Sequence, residues 1–396
     1  LNAAQVKKAI NTRLKGDFIK LASEVADMPK VSTGLLSFDE QTNGGLPMGV
    51  PISIQGRKSV GKSGFCYYMG GRAVDQYGGM IFLLQSEPGF DANWAEQCGL
   101  PPSKTIFYDG SDLRVSLQLI LDIMRNEKPT CVIFDSLSML SGNVTASLVD
   151  SKSHGERAIP INEFFRKLAG SMDREKPPLF LYIEHLHPVI GKPGLQTTGG
   201  ETKGYANGME LRLTTESHVV HEFQSMSDEK KKTGLPVQAK IVWEVRKSKS
   251  CPLRGTGTYS LGLRETPFCK PGEISDYDEL IVRGILNGHI IKGGSWFTFV
   301  ESGEKYQGAE RLKSEVDAIT LREIVLRPRP EGGEGNGKVK GVKAGAGKRG
   351  RKQKGRLGGG EGDGAGDVAS GTEVNGQAES DGQVGVAEED QAGSDE

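Results

Sequence analysis

Cysteine is scarce. The five residues Cys66, Cys98, Cys131, Cys251 and Cys269 are scattered over 396 positions and form no C-x-x-C pair. A disulfide framework and a thiolate zinc site are therefore not indicated, and buried thiols in a reducing compartment are the plain reading. Long apolar runs are missing as well, since none approaches the ~20 residues that a membrane helix needs. No signal-peptide pattern opens the chain, although Leu1 rather than methionine stands first and leaves the natural start open. These absences predict a soluble, cytoplasmic protein with no membrane partner. Net charge is almost absent too, at −1, so composition alone announces no polyanionic partner. Aromatic residues are missing altogether from 328–396, a stretch rich in Gly, Ala, Glu and Asp. Too little apolar area remains there to offset the entropy of ordering, so those residues are expected to be a disordered tail.

What is present starts at Ile52–Gly64, read as ISIQGRKSVGKSG. A short apolar strand runs into G-x-x-x-x-G-K-S, from Gly56 through Arg57, Lys58, Ser59 and Val60 to Gly61, Lys62 and Ser63, with Gly64 following. In this phosphate-binding loop the glycines permit a tight turn, and successive N–H groups face one anion at a helix N-terminus. Lys62 would reach the terminal phosphates and the Ser63 hydroxyl would hold a magnesium ion. A nucleoside triphosphate ligand is predicted. Further strands are expected at 80–85, 105–108, 130–134 and 179–184, with helices between them. Strands alternating with helices predict an α/β fold with a mainly parallel sheet, ligands lying at the carboxyl ends of its strands. Strands 209–213, 217–223 and 237–245 and a smaller α/β unit over 272–326 complete the expectation. At the other end, Val6, Ile10, Leu14, Phe18, Leu21 and Val25 keep helical spacing through 3–26. Asp135 ends an apolar strand about 70 residues after Lys62, which suits the second magnesium-organising carboxylate as well as an ordinary strand-end acid. His185 and His187 point the same way from a strand end, but further metal ligands are not evident.

Residues 31–56 resemble the approach to the nucleotide site of bacterial RecA recombinases. The likeness rests on Ser32-Thr33-Gly34, Leu36-Ser37, Asp39 and Gly44-Gly45-Leu46-Pro47-Met48-Gly49. It extends through SEPGFDANWAEQCGL, which implies Glu87 as catalytic base, Asp91 as an adenine contact and Trp94 as the ring stacked on the base. Tyrosine is usual where Trp94 stands, and tryptophan offers a larger face. By the same resemblance His185 occupies the place of a γ-phosphate sensor, commonly glutamine. The stretch 188–208 resembles a second DNA-binding loop, with Thr197-Thr198-Gly199-Gly200 matching directly and Lys192 and Lys203 beside them. Segment 141–157, which contains Arg157, stands where the first DNA loop would be. Lys247 and Lys249 in VWEVRKSKSCP occupy the places of two lysines that reach the neighbouring subunit's γ-phosphate, with Arg246 as the rival. Gly294–Leu312 resembles the end of a small domain that helps bind duplex DNA.

The resemblance implies a RecA-like P-loop core over 31–268, preceded by a helical oligomerisation segment at 1–30. A small α/β domain would follow at 269–327 and the tail at 328–396. It further implies an ATP- and Mg2+-dependent recombinase that forms helical filaments on single-stranded DNA and pairs it with double-stranded DNA. A hexameric helicase of the same fold, or a nucleotide-gated DNA coat with little turnover, stands as the alternative. The tail adds something the resemblance does not supply. Residues 338–356 hold nine basic residues and no acid, whereas 361–396 hold eleven acids and no base. The acidic block is tethered beside the basic one at a local concentration on the order of millimolar or higher, and so would compete with DNA phosphate. A solvated tail without a regulatory part has the same composition. Deleting 361–396 is expected to strengthen duplex binding most at low salt, and deleting 338–396 to weaken it again. Duplex affinity unmoved by both truncations across a salt titration would leave only the solvated tail.

Overall fold

The computed structural model describes residues 2–25, 27–140, 154–188, 195–197, 201–222, 234–252, 255–267 and 269–330. Its centre is a ten-stranded sheet. In chain order the strands are β1 (Pro51–Gly56), β2 (Ile81–Gln85), β3 (Thr105–Asp109), β4 (Cys131–Asp135) and β5 (Leu179–Pro188). They continue with β6 (Leu195–Thr197), β7 (Met209–Glu222), β8 (Gly234–Ser248), β9 (Thr256–Gly262) and β10 (Ile274–Ser275). Across the sheet the order is β10-β9-β8-β7-β1-β5-β4-β2-β3, with β6 alongside β5. Pairing is parallel from β7 through β1 to β3 and antiparallel from β7 outward to β10. This is the α/β architecture expected from the sequence, with a parallel centre and an antiparallel flank.

Two-residue alternation explains why the inner strands are covered on both sides. Ile81, Leu83, Ile133, Leu181 and Ile183 bury one face under Phe65, Met69 and Ala73 of the helix Lys62–Tyr77. Phe82, Leu84, Val132, Phe134 and Phe180 bury the other under helices Leu113–Asn126 and His154–Ser171. A third apolar core joins Tyr277, Leu280, Phe297, Leu312 and Leu321 around a three-stranded antiparallel sheet of β11 (Ile290–Gly293), β12 (Trp296–Phe299) and β13 (Lys305–Gln307). Asp276 ties that part to the helix Leu36–Gln41 by accepting the Leu36 amide at 2.7 Å while pairing with Arg322 at 2.8 Å.

Two expectations change in detail. The periodicity through 3–26 is not one helix: the helix ends at Leu14, where Lys15 turns left-handed at φ 54. The Asn11 side chain then accepts the amides of Phe18 and Ile19, which diverts the chain from helical pairing. Residues 209–213 and 217–223 are not separate strands either, because β7 runs on through Thr214–Glu216 and stays paired to β8 across a register shift at Lys240/Ile241. A bulge absorbs the break in alternation that reads as a turn in the sequence. Among the described residues, no helix is long and apolar enough to cross a membrane.

Candidate functional site

The site grows from the carboxyl ends of β1, β2, β4 and β5. Gly56 closes β1 where a Cβ would lie 2.7 Å from Val60 and 2.9 Å from the Leu213 carbonyl, so no side chain fits. Gly61 sits at φ 81 and starts the helix Lys62–Tyr77, and Ser59 is also left-handed at φ 60. Such a turn aims backbone N–H groups at the helix N-terminus, which suits an anion. Lys62 is buried and donates to the Arg57 carbonyl at 2.8 Å, folding the loop around its own ammonium. Burial lowers its pKa, while the carboxylates of Asp135 and Glu87 act the other way.

Asp135 ends β4, almost fully buried, and the Ser63 hydroxyl hydrogen-bonds to it. Burial pushes its carboxyl up to about 6, with Ser63 opposing that rise and Glu87 adding to it. A buried carboxylate joined to the first-turn hydroxyl is the donor set that a magnesium ion beside a triphosphate requires. These residues fit the cation. Glu87 lies just past β2, and its Oε1 accepts the Ser136 hydroxyl at 2.5 Å and meets His185 Nε2 at 2.5 Å. The His185 contact, with Ser136 and Lys62 helping, holds the Glu87 carboxyl below the usual range. Ser86 fixes the turn between them: its hydroxyl donates to the Ser136 carbonyl at 2.7 Å and accepts the Ser136 amide at 3.0 Å.

A cavity of about 680 Å³ opens over these groups. Its lining brings together Lys58 through Gly64, Glu87, Trp94, Asp135 and His185. Asp91 does not line it; its carboxylate caps the helix Ala92–Gln97 by accepting the Trp94 amide at 3.0 Å. Leu261 and Leu263, which sequence reading missed, form an apolar wall from the far end of β9. No local motif marks them, because their place depends on β9 crossing back past β8. Ser86, also missed, is a small polar residue between a strand and Glu87, a signal too common to single it out.

Among the described residues, Thr197, Lys203, Arg246, Lys247 and Lys249 do not line this cavity. Lys247 donates to the Gly204 carbonyl and Lys249 to the Tyr205 carbonyl at 3.0 Å, so neither lines the cavity of its own chain. Arg246 pairs with Glu244 at 2.8 Å. Thr197 ends β6, and its hydroxyl accepts from Lys203 at 3.0 Å. Lys203, expected as a DNA contact, is buried and paired with Glu184, on a helix that packs on the helix His154–Ser171. Lys192, Thr198, Gly199 and Gly200 lie outside the described residues, as does the side chain of Arg157.

The chain also resembles known proteins over most of its length. The family profile of the RecA N-terminal domain matches residues 3–256. The chain is similar to Protein RecA of Cytophaga hutchinsonii, 26% identical over 317 residues, covering 78% of this chain and 83% of the relative. Protein RecA of Rhodopirellula baltica is 25% identical over 296 residues, with 74% and 73% covered. Protein RecA of Ruegeria pomeroyi is 24% identical over 338 residues, with 81% and 91% covered. A phosphate loop, a buried strand-end carboxylate and a glutamate beside it, held on this sheet and matched over residues 3–256, place the chain in the RecA family.

Proposed function

We propose that this RecA-family protein is a cytoplasmic, DNA-dependent ATPase that assembles as a helical filament on single-stranded DNA and exchanges strands with duplex DNA. The observation that carries the reading is the convergence of Lys62, Ser63, Glu87, Asp135 and His185 on one cavity that Trp94 also lines. When bound, magnesium would neutralise phosphate charge, with Ser63 and Asp135 as its holders. The loop amides and Lys62 would grip the β- and γ-phosphates. Glu87, which lines the cavity and is held charged by His185, would accept a proton from the attacking water. His185 would turn from Glu87 to the γ-phosphate and so report its presence. Trp94 would stack on adenine, with Asp91 keeping its helix in place. Backbone and hydroxyl groups of Thr197, Thr198, Gly199 and Gly200, with Lys192 and Arg157, would take DNA phosphates without reading sequence. Assembly is supported by exposed apolar side chains, Ile106 and Phe107 on the edge strand β3 and Phe18 and Val25 near the N-terminus. An edge strand that pairs on one side only among the described residues invites a second chain.

ATP hydrolysis measured with and without single-stranded DNA, together with electron microscopy, tests the reading. Stimulated turnover and filaments are expected; rings would indicate a helicase, and coating without turnover a scaffold. A sharper expectation concerns Lys247 and Lys249, proposed to serve the neighbour's cavity. Their alanine variants should lose DNA-stimulated hydrolysis, by about 10²-fold if each supplies the charge neutralisation typical of such fingers. Mixed with Lys62→Ala subunits, they should recover part of it, since one class of interface then has both halves intact. Co-assembly without recovery at any ratio would rule out action between subunits.

A further inference from the structure

Lys203 is exposed by only 4% and Glu184 by 1%, and the ammonium donates to Glu184 Oε1. The other oxygen of Glu184 accepts the Ser53 hydroxyl, and Lys203 also donates to Thr197. Three pieces meet at this pair: β1 just before Gly56, β5 just before His185, and the helix Glu201–Ala206. Register places Glu184 opposite Gln55 and His185 opposite Gly56. Successive strand residues face opposite sides of a sheet. His185 therefore faces the nucleotide cavity, and Glu184 faces the helix on the other side. The same helix presents the Gly204 and Tyr205 carbonyls that hold Lys247 and Lys249.

A buried ion pair is a poor way to gain stability, because apolar residues of similar volume hold a core as well or better. Separating its partners would leave an uncompensated buried charge, so the pair ties the helix, which packs on the helix His154–Ser171, to the end of β5. We propose that the Glu184–Lys203 pair is a positioning link between the two sides of β5. Through it, what occupies the cavity beside His185 sets the seat of helix Glu201–Ala206, and with it the presentation of Lys247 and Lys249 to the next subunit. The link rests on the triphosphate reading of the cavity and on the action of those lysines between subunits. Neither Glu184 nor Lys203 touches ligand in this scheme.

The test compares the full-length protein with E184Q/K203M, which removes both charges, and with K203R, which keeps them. A non-hydrolysable ATP analogue is the probe, and amide hydrogen exchange over 203–208 is the readout, alongside analogue affinity and the sigmoidicity of DNA-stimulated hydrolysis. The unsubstituted protein should change its exchange at 203–208 on binding the analogue. E184Q/K203M should bind the analogue within about threefold of the unsubstituted protein, yet lose roughly tenfold or more of that exchange response, the range of an allosteric coupling. Its hydrolysis should also lose sigmoidicity, while K203R keeps both properties. If E184Q/K203M does not fold, E184L/K203L supplies the apolar replacement and the same expectation holds. A folded charge-free variant with full exchange response and unchanged sigmoidicity overturns the link. So does an unsubstituted protein that binds the analogue without any change at 203–208. Failure of the unsubstituted protein to bind the analogue at all rejects the triphosphate reading instead.

Discussion

Lys62→Ala is expected to abolish triphosphate binding for practical purposes, lowering affinity by about 10²-fold or more, and to remove triphosphate-dependent DNA binding with it. The estimate follows from truncating one partner of a desolvated charge contact, which costs about 2–5 kcal/mol. In this chain the loss is not confined to one hydrogen bond. The Lys62 ammonium lies beside the carboxylates of Asp135 and Glu87 and donates to the Arg57 carbonyl at 2.8 Å. Without it, the γ-phosphate would approach two carboxylates with one fewer cation to offset them. The loop would also lose the internal tie that closes it around the ligand. Fold should survive, because burial already disfavours the charged lysine and the helix begins from backbone geometry at Gly61. Titration with a fluorescent ATP analogue, with circular dichroism as the folding control, checks this. Near-normal affinity in a folded variant would move the phosphate site elsewhere.

Glu87→Gln should separate binding from chemistry. Turnover is expected to fall by about 10²-fold or more, the range for losing a positioned general base. Analogue affinity and DNA-dependent assembly should change little. The amide is nearly isosteric, and its oxygen can still accept the Ser136 hydroxyl that now reaches Oε1 at 2.5 Å. What it cannot do is take a proton from water. The His185 contact that holds the Glu87 carboxyl below its usual range means the proposed base is charged well below neutral pH. Loss of activity through this group is therefore expected only as pH falls through that lowered range, not near neutrality. A pH–rate profile checks the position of that acid limb. Single-turnover hydrolysis by Glu87→Gln at the unsubstituted rate would assign the base to another residue.

The sequence alone determined the parts of this site that are local. Gly56 to Ser63 is one turn between one strand and one helix, so its chemistry is written in consecutive residues. Asp135 was legible because an apolar run ending in an acid marks the carboxyl end of a buried strand, where ligands of open α/β sheets lie. The α/β class followed from alternating strand and helix periods for the same reason. Long-range geometry was not legible in this way. Glu87 and His185 stand 98 positions apart and touch only because β4 lies between β2 and β5. Leu261 and Leu263 reach the cavity through strand order, which no short pattern encodes. Lys203 shows the limit most plainly. Composition makes it a solvated lysine in a polar stretch, whereas packing of its helix on the helix His154–Ser171 leaves it buried against Glu184 at the end of β5. Whether a charge faces water or a partner depends on which face of an element is covered. Coverage is set by the neighbours that tertiary packing brings, not by the residues on either side.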